Sequence, residues 1–192
     1  MKDVKDLRLL LDKVKREALG DKAYPIHLKQ ITYYCNPKRE GVKHYTNFTI
    51  PKKSGGERTI SAPVAGLKSI LISLNTILQS VYEPSKYAIG FVPGRSVVDN
   101  AKIHIGQNYV YNIDLKDFFP FITSKVVYNT LVEKGFSPDV ASVITKLTTF
   151  KGHLPQGAPT STTLANLVFL PTGLKLNEIA KQHNLRFTIF VD

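Results

Sequence analysis

Two apolar, β-rich runs that each end in an aspartate limit what this chain can fold into. Tyr109-Val110-Tyr111-Asn112-Ile113 precedes Asp114, and Phe187-Thr188-Ile189-Phe190-Val191 precedes Asp192. Runs of this composition read as strands, and a carboxylate at a strand tip is half of a metal-binding pair. Two such strands side by side would hold divalent metal between them, and two metals clamp an in-line phosphoryl transfer. An isolated Asp at a turn more often caps it, so the weight rests on the pair. Asp117 reads as a solvated surface acid.

The stretches around these runs mix helix and strand without strict alternation, which indicates an α+β fold. Residues 4–18 carry Val4, Leu7, Leu10, Leu11, Val14 and Ala18 at helical spacing, and Gly20 closes the helix. A short helix is expected at 25–35. A hairpin follows, with strands at 45–51 and 58–62 around a Ser54-Gly55-Gly56 turn. Further helices are expected at 66–82, 96–106, 123–134 and 137–148. The last spans 160–182, bent at Pro171. No internal repeat or low-complexity tract interrupts the 192 residues.

The formal charge of +11 calls for a polyanionic partner, with nucleic acid ahead of an anionic membrane surface. No apolar stretch reaches membrane-spanning length, and charges rather than a signal core follow Met1, which suits a cytoplasmic protein. The single cysteine, Cys35, excludes an internal disulfide and a cysteine-rich zinc site, and reads as an inert buried thiol.

Three loops add candidate binding residues. The hairpin segment Lys52-Lys53-Ser54-Gly55-Gly56-Glu57-Arg58 sets two lysines across from an arginine, a combination suited to a triphosphate or simply to solubility. Leu154-Pro155-Gln156-Gly157-Ala158-Pro159 opens a helix; its glycine admits a nucleotide close to the backbone, and Gln156 offers both donor and acceptor. Gly90-Phe91-Val92-Pro93-Gly94-Arg95-Ser96 presents Arg95 to a template phosphate, and Asn100-Ala101-Lys102-Ile103-His104 follows, with His104 read as a satisfied structural histidine.

In this order, these segments resemble the reverse transcriptase family over roughly residues 45–192. The hairpin is similar to the fingers hairpin, and 90–96 to the Gly-Phe-x-x-Gly-Arg-Ser segment of bacterial and group II intron enzymes. Residues 114–119 resemble polymerase motif A, Pro155-Gln156-Gly157 motif B, and Phe190-Val191-Asp192 the start of the Tyr-x-Asp-Asp motif C, with Phe190 in place of tyrosine. Asn100-Ala101-x-x-His104 resembles a signature of retron reverse transcriptases; related bacterial defence enzymes share these segments.

The resemblance implies a right-hand polymerase: fingers at 1–105 and an incomplete ferredoxin-like palm at 106–192, truncated within motif C, with the thumb absent. It implies an RNA-directed DNA polymerase using RNA template and primer, deoxynucleotides, Mg²⁺ and a cognate structured non-coding RNA, in antiviral defence. Asp114 and Asp192 would be catalytic metal ligands, with the Leu115 carbonyl as a further one. Lys52, Lys53 and Arg58 would hold the triphosphate, and Gln156 and Gly157 would pack against the nucleotide. Phe119 would exclude a 2′-hydroxyl, with a core aromatic like Phe118 as the structural alternative, and Arg95 would lie near the template. By itself such a fragment is expected to be inactive and to self-associate. The alternatives are a non-catalytic nucleic-acid-binding module of polymerase shape, another bacterial defence reverse transcriptase, and an RNA-directed RNA polymerase, against which Phe119 argues.

Overall fold

The computed structural model describes residues 3–20, 22–36, 44–52 and 55–190; Lys53 and Asp192 lie outside them. Helix α1, Val4–Leu19, begins where the Asp3 side chain accepts from the N–H groups of Lys5 and Asp6. It ends at Gly20, whose N–H still donates to the Arg16 carbonyl while its φ of 81° turns the following chain out of the helix. Leu7 and Leu11 are fully buried, so the predicted apolar stripe is the face that packs on α3. Helix α2, Leu28–Tyr34, contributes Ile31 to the same core.

Strands β1, Tyr45–Pro51, and β2, Glu57–Pro63, pair antiparallel from Tyr45 opposite Pro63 to Pro51 opposite Glu57. Most of this hairpin is exposed; it is anchored at its base, where Tyr45 is buried and stacks on Phe150 at 4.6 Å. Helix α3, Ala65–Val81, is the core's axis. Its Leu67, Ile70, Leu71, Leu74, Ile77 and Leu78 recur at helical spacing and are all buried. Each such side chain contributes about 1.5–3 kcal/mol through burial. Helices α1, α7 and α8 pack around it.

Helix α4, Val97–His104, starts at a reciprocal cap between Ser96 and Asp99. A single turn, α5, covers Phe118–Phe121. Helices α6, Ser124–Glu133, and α7, Pro138–Thr148, start at the hydroxyl caps Thr123 and Ser137, and Pro138 occupies the first turn of α7. Helix α8, Ser161–Gln182, runs through Pro171. One hydrophobic cluster joins residues from Leu7 to Leu167. Cys35 is half-buried, and burial pushes its thiol up to about 11, as suits an inert side chain. No helix among the described residues is long and apolar enough to cross a membrane.

Mixed helix and strand is therefore the fold class, but two expected strands differ. Residues 109–113 have irregular backbone, with Tyr109, Tyr111 and Ile113 at 94%, 89% and 79% exposure. From 187 onward, the described residues form only an isolated parallel bridge between Ile189 and Ala88. The ferredoxin-like sheet is not formed among the described residues, whose one sheet is the β1–β2 hairpin. The reason is that strand propensity reflects packing against neighbours; without a ladder partner, apolar alternation alone does not make a strand.

Candidate active site

The turn end of the hairpin with strand β2, the turn after Asp114, the loop before α8 and the segment after it meet around a cleft of ≈ 640 Å³. Lys52, Arg58, Asp114, Leu115, Phe119 and Gln156 all line it, brought together from separate parts of the chain.

Each wall has a local cause. Asp117 adopts the left-handed conformation (φ 53°, ψ 36°), which Asp tolerates better than most residues, and this bend starts α5 directly after Asp114. Phe118 then packs edge-on against Phe169 of α8 at 5.6 Å, and Phe119 packs against Phe118 at 6.1 Å. Of the two, Phe118 is tied to α8, and Phe119 is half-buried in the cleft wall.

The opposite wall is held by backbone bonds. Leu154 N–H donates to the Ile122 carbonyl (3.0 Å) and Ser124 N–H to the Gly152 carbonyl (2.8 Å), which fix the loop to the start of α6. The buried Ser161 hydroxyl donates to the Pro155 carbonyl (2.7 Å), fixing it to α8. At its tip, Ser61 N–H of β2 donates to the Gln156 carbonyl at 2.7 Å. Gly157 lies beside the cleft, at φ 115°, where a Cβ would stand 2.8 Å from Ile60 Cγ2 and 3.1 Å from the Ser61 carbonyl oxygen. That glycine lets the loop sit directly on the hairpin strand.

Asp114 is exposed, and the cleft also carries Lys116, Asp117, Glu57 and His153. Carboxylates and backbone carbonyls are among the groups lining the cleft, and these are the hard oxygens that Mg²⁺ takes. Among the described residues no cluster of three His, Cys, Asp or Glu side chains could hold a metal without further ligands. Phe190, two residues ahead of Asp192, lines the same cleft.

Comparison with known proteins bears on this arrangement. No family model matches the chain. It is 36% identical over 178 residues to the retron Mx65 reverse transcriptase of Myxococcus xanthus, covering 83% of this chain and 42% of that protein. It is 36% identical over 151 residues to the retron Ec86 reverse transcriptase of Escherichia coli, covering 77% of this chain and 47% of that one. The chain belongs to the retron-type reverse transcriptase family. A third relative, the retron Mx162 reverse transcriptase of Myxococcus xanthus, is 34% identical over 198 residues, spanning 92% of this chain and 40% of its own length. The chain thus spans less than half the length of these relatives.

Within this retron-type chain, Arg95 lies away from the cleft lining. Its guanidinium donates to the Ser85 and Ala88 carbonyls, with the Pro84 carbonyl at 3.5 Å, and so braces its own loop. Several lining residues had escaped sequence reasoning. Lys116 and His153 adjoin motif residues and were findable by adjacency; Phe169 and Leu176 of α8 carry no local signal.

Proposed function

We propose that this chain forms the nucleotide-binding cleft of an RNA-directed DNA polymerase of retron type. The observation that carries this reading is the convergence of Lys52, Arg58, Asp114, Leu115, Phe119 and Gln156 on one cleft. Arg58 grips triphosphate oxygens with its planar fork, and Lys52 adds a point charge, joined by Lys53. Gln156 and the backbone at Gly157 pack against the incoming nucleotide. The ring of Phe119 closes the wall where a 2′-hydroxyl would sit, so the site takes deoxynucleotides. Asp114, the Leu115 carbonyl and Asp192 would hold Mg²⁺, which would supply charge neutralisation for a phosphoryl transfer. RNA template, primer and a cognate structured RNA are the partners, in a cytoplasmic setting of antiviral defence. Arg95 acts near the template by shaping the 84–95 loop.

Primer extension on an RNA template with Mg²⁺ and deoxynucleotides tests this in the enzyme that carries this sequence. Asp114→Ala should abolish extension and leave RNA binding largely intact; wild-type rates would sink the metal assignment. Phe119→Ala should admit ribonucleotides, and unchanged discrimination would return Phe119 to a packing role. Residues 1–192 assayed alone should extend poorly or not at all, because the run leading to Asp114 has no ladder partner among the described residues. The exposed Tyr109, Tyr111 and Ile113 also support self-association of these residues. A clean monomer in size-exclusion chromatography at high concentration would count against that.

A further inference from the structure

The segment that leads to Asp192 is seated on three sides, and the seat includes the Asn100-Ala101-x-x-His104 stretch. On the first side, Ile189 N–H donates to the Tyr87 carbonyl at 2.8 Å. The Ile189 carbonyl accepts from Ile89 at 2.9 Å and Gly90 at 3.2 Å. That loop is itself braced, because Arg95 donates to the Ala88 carbonyl and the buried Asn166 amide donates to the Gly90 carbonyl at 3.0 Å.

The second side is the end of α4. The Arg186 guanidinium donates to the Ile103 carbonyl at 2.8 Å and the Ile105 carbonyl at 3.2 Å, placing a cation on carbonyls that a helix end leaves unsatisfied. One residue inside that end, His104 Nε2 lies 2.8 Å from the Thr188 hydroxyl. The third side is α8, where the space above Gly173 is filled by Ile189 and Tyr87; a Cβ there would stand 3.0 Å from Ile189 Cδ1.

Thr188, Ile189 and Phe190 line the cleft with Asp114, and Asp192 follows Phe190 by two residues in the sequence. We infer that His104 is a positioning residue. Through Thr188, and together with the Arg186 cap on α4, it fixes the segment that delivers the second carboxylate. This rests on the polymerase reading above, in which Asp192 is a metal ligand. The side chain lies outside the cleft lining. It acts as outer-shell partners of metal ligands do, whose loss commonly lowers metal affinity or activity about 10- to 100-fold.

The test has two arms. In the 192-residue chain, hydrogen exchange of the Ile89, Gly90 and Ile189 amides should speed up about three- to tenfold in His104→Ala, the effect of losing one ordinary hydrogen bond. Thr188→Val should do the same, and α1 and α3 amides should keep their wild-type rates. Unchanged exchange at 89, 90 and 189 overturns the inference. In the enzyme that carries this sequence, His104→Ala should lower kcat about tenfold and raise the Mg²⁺ concentration for half-maximal extension, with the nucleotide KM unchanged. His104→Gln, which can still bond the Thr188 hydroxyl, should recover most of both. Asp114→Ala is the control: if it abolishes extension while His104→Ala leaves kcat and Mg²⁺ dependence intact, the positioning role falls and the polymerase reading stands. Extension insensitive to both variants overturns the reading of the cleft, and the positioning role with it.

Discussion

Asp12 ties α1 to the chain that follows it: its carboxylate accepts from Ile26 N–H at 2.8 Å and from Arg16 Nε at 3.1 Å. The Ile26 N–H does most to lower its pKa below the usual 3.8; burial, the next largest effect, opposes it, and the Arg16 and Arg8 cations add to the lowering. A carboxylate whose pKa is lower folded than unfolded stabilises the fold above the unfolded value, and that stability drains away as pH falls through the folded one. Asp12→Asn, which keeps an acceptor but removes the charge, should cost about 0.5–1 kcal/mol at pH 7. In urea melts at successive pH values, the gap to wild type should narrow below 3.8; a gap independent of pH would refute the charge as its source. Gly157 makes a second residue-scale case. Its motif was legible in the sequence, but as a nucleotide neighbour rather than as the seat of the hairpin. Gly157→Ala meets both a strained φ and the Ser61 backbone, and should destabilise by about 1–3 kcal/mol. An unaltered urea midpoint would show that the loop moves aside freely.

At the scale of elements, local pattern was a good guide wherever a helix carries its own signals. The α1 stripe with its Gly20 stop, the expected start of α7 at 137 and the hairpin at β1 and β2 stand within a residue or two of where the sequence pattern put them. Residues 109–113 and 187–190 share a β-rich composition, yet neither is a strand, since a ladder is completed by a partner elsewhere in the chain. Helix α8 was legible as a helix, but its role was not: in the fold, Gly173 leaves the space that Ile189 and Tyr87 fill. Gly173→Val should therefore destabilise by about 1–3 kcal/mol through overpacking, and should accelerate exchange at the Ile189 amide. A variant as stable as wild type with Ile189 still protected would show that the contact yields without cost.

Over the whole molecule, charge and core act separately. The apolar cluster from Leu7 to Leu167 sets the fold, and the charge of +11 favours a polyanionic partner. Binding of single-stranded RNA by residues 1–192 should weaken steeply between about 50 and 200 mM salt, with log affinity linear in log salt. Filter-binding affinities that stay flat over that range would remove nucleic acid as the reason for the charge. Composition, helix periodicity, caps and the ordered motifs were enough to establish the mixed fold and the reverse transcriptase kinship, because each is a local or additive property of the chain. Only the folded chain decided that Gly157 seats on β2, that Arg95 braces its own loop and that His104 meets Thr188. Those pairings join positions up to 97 residues apart, and no local pattern encodes which distant side chain will fill a given space.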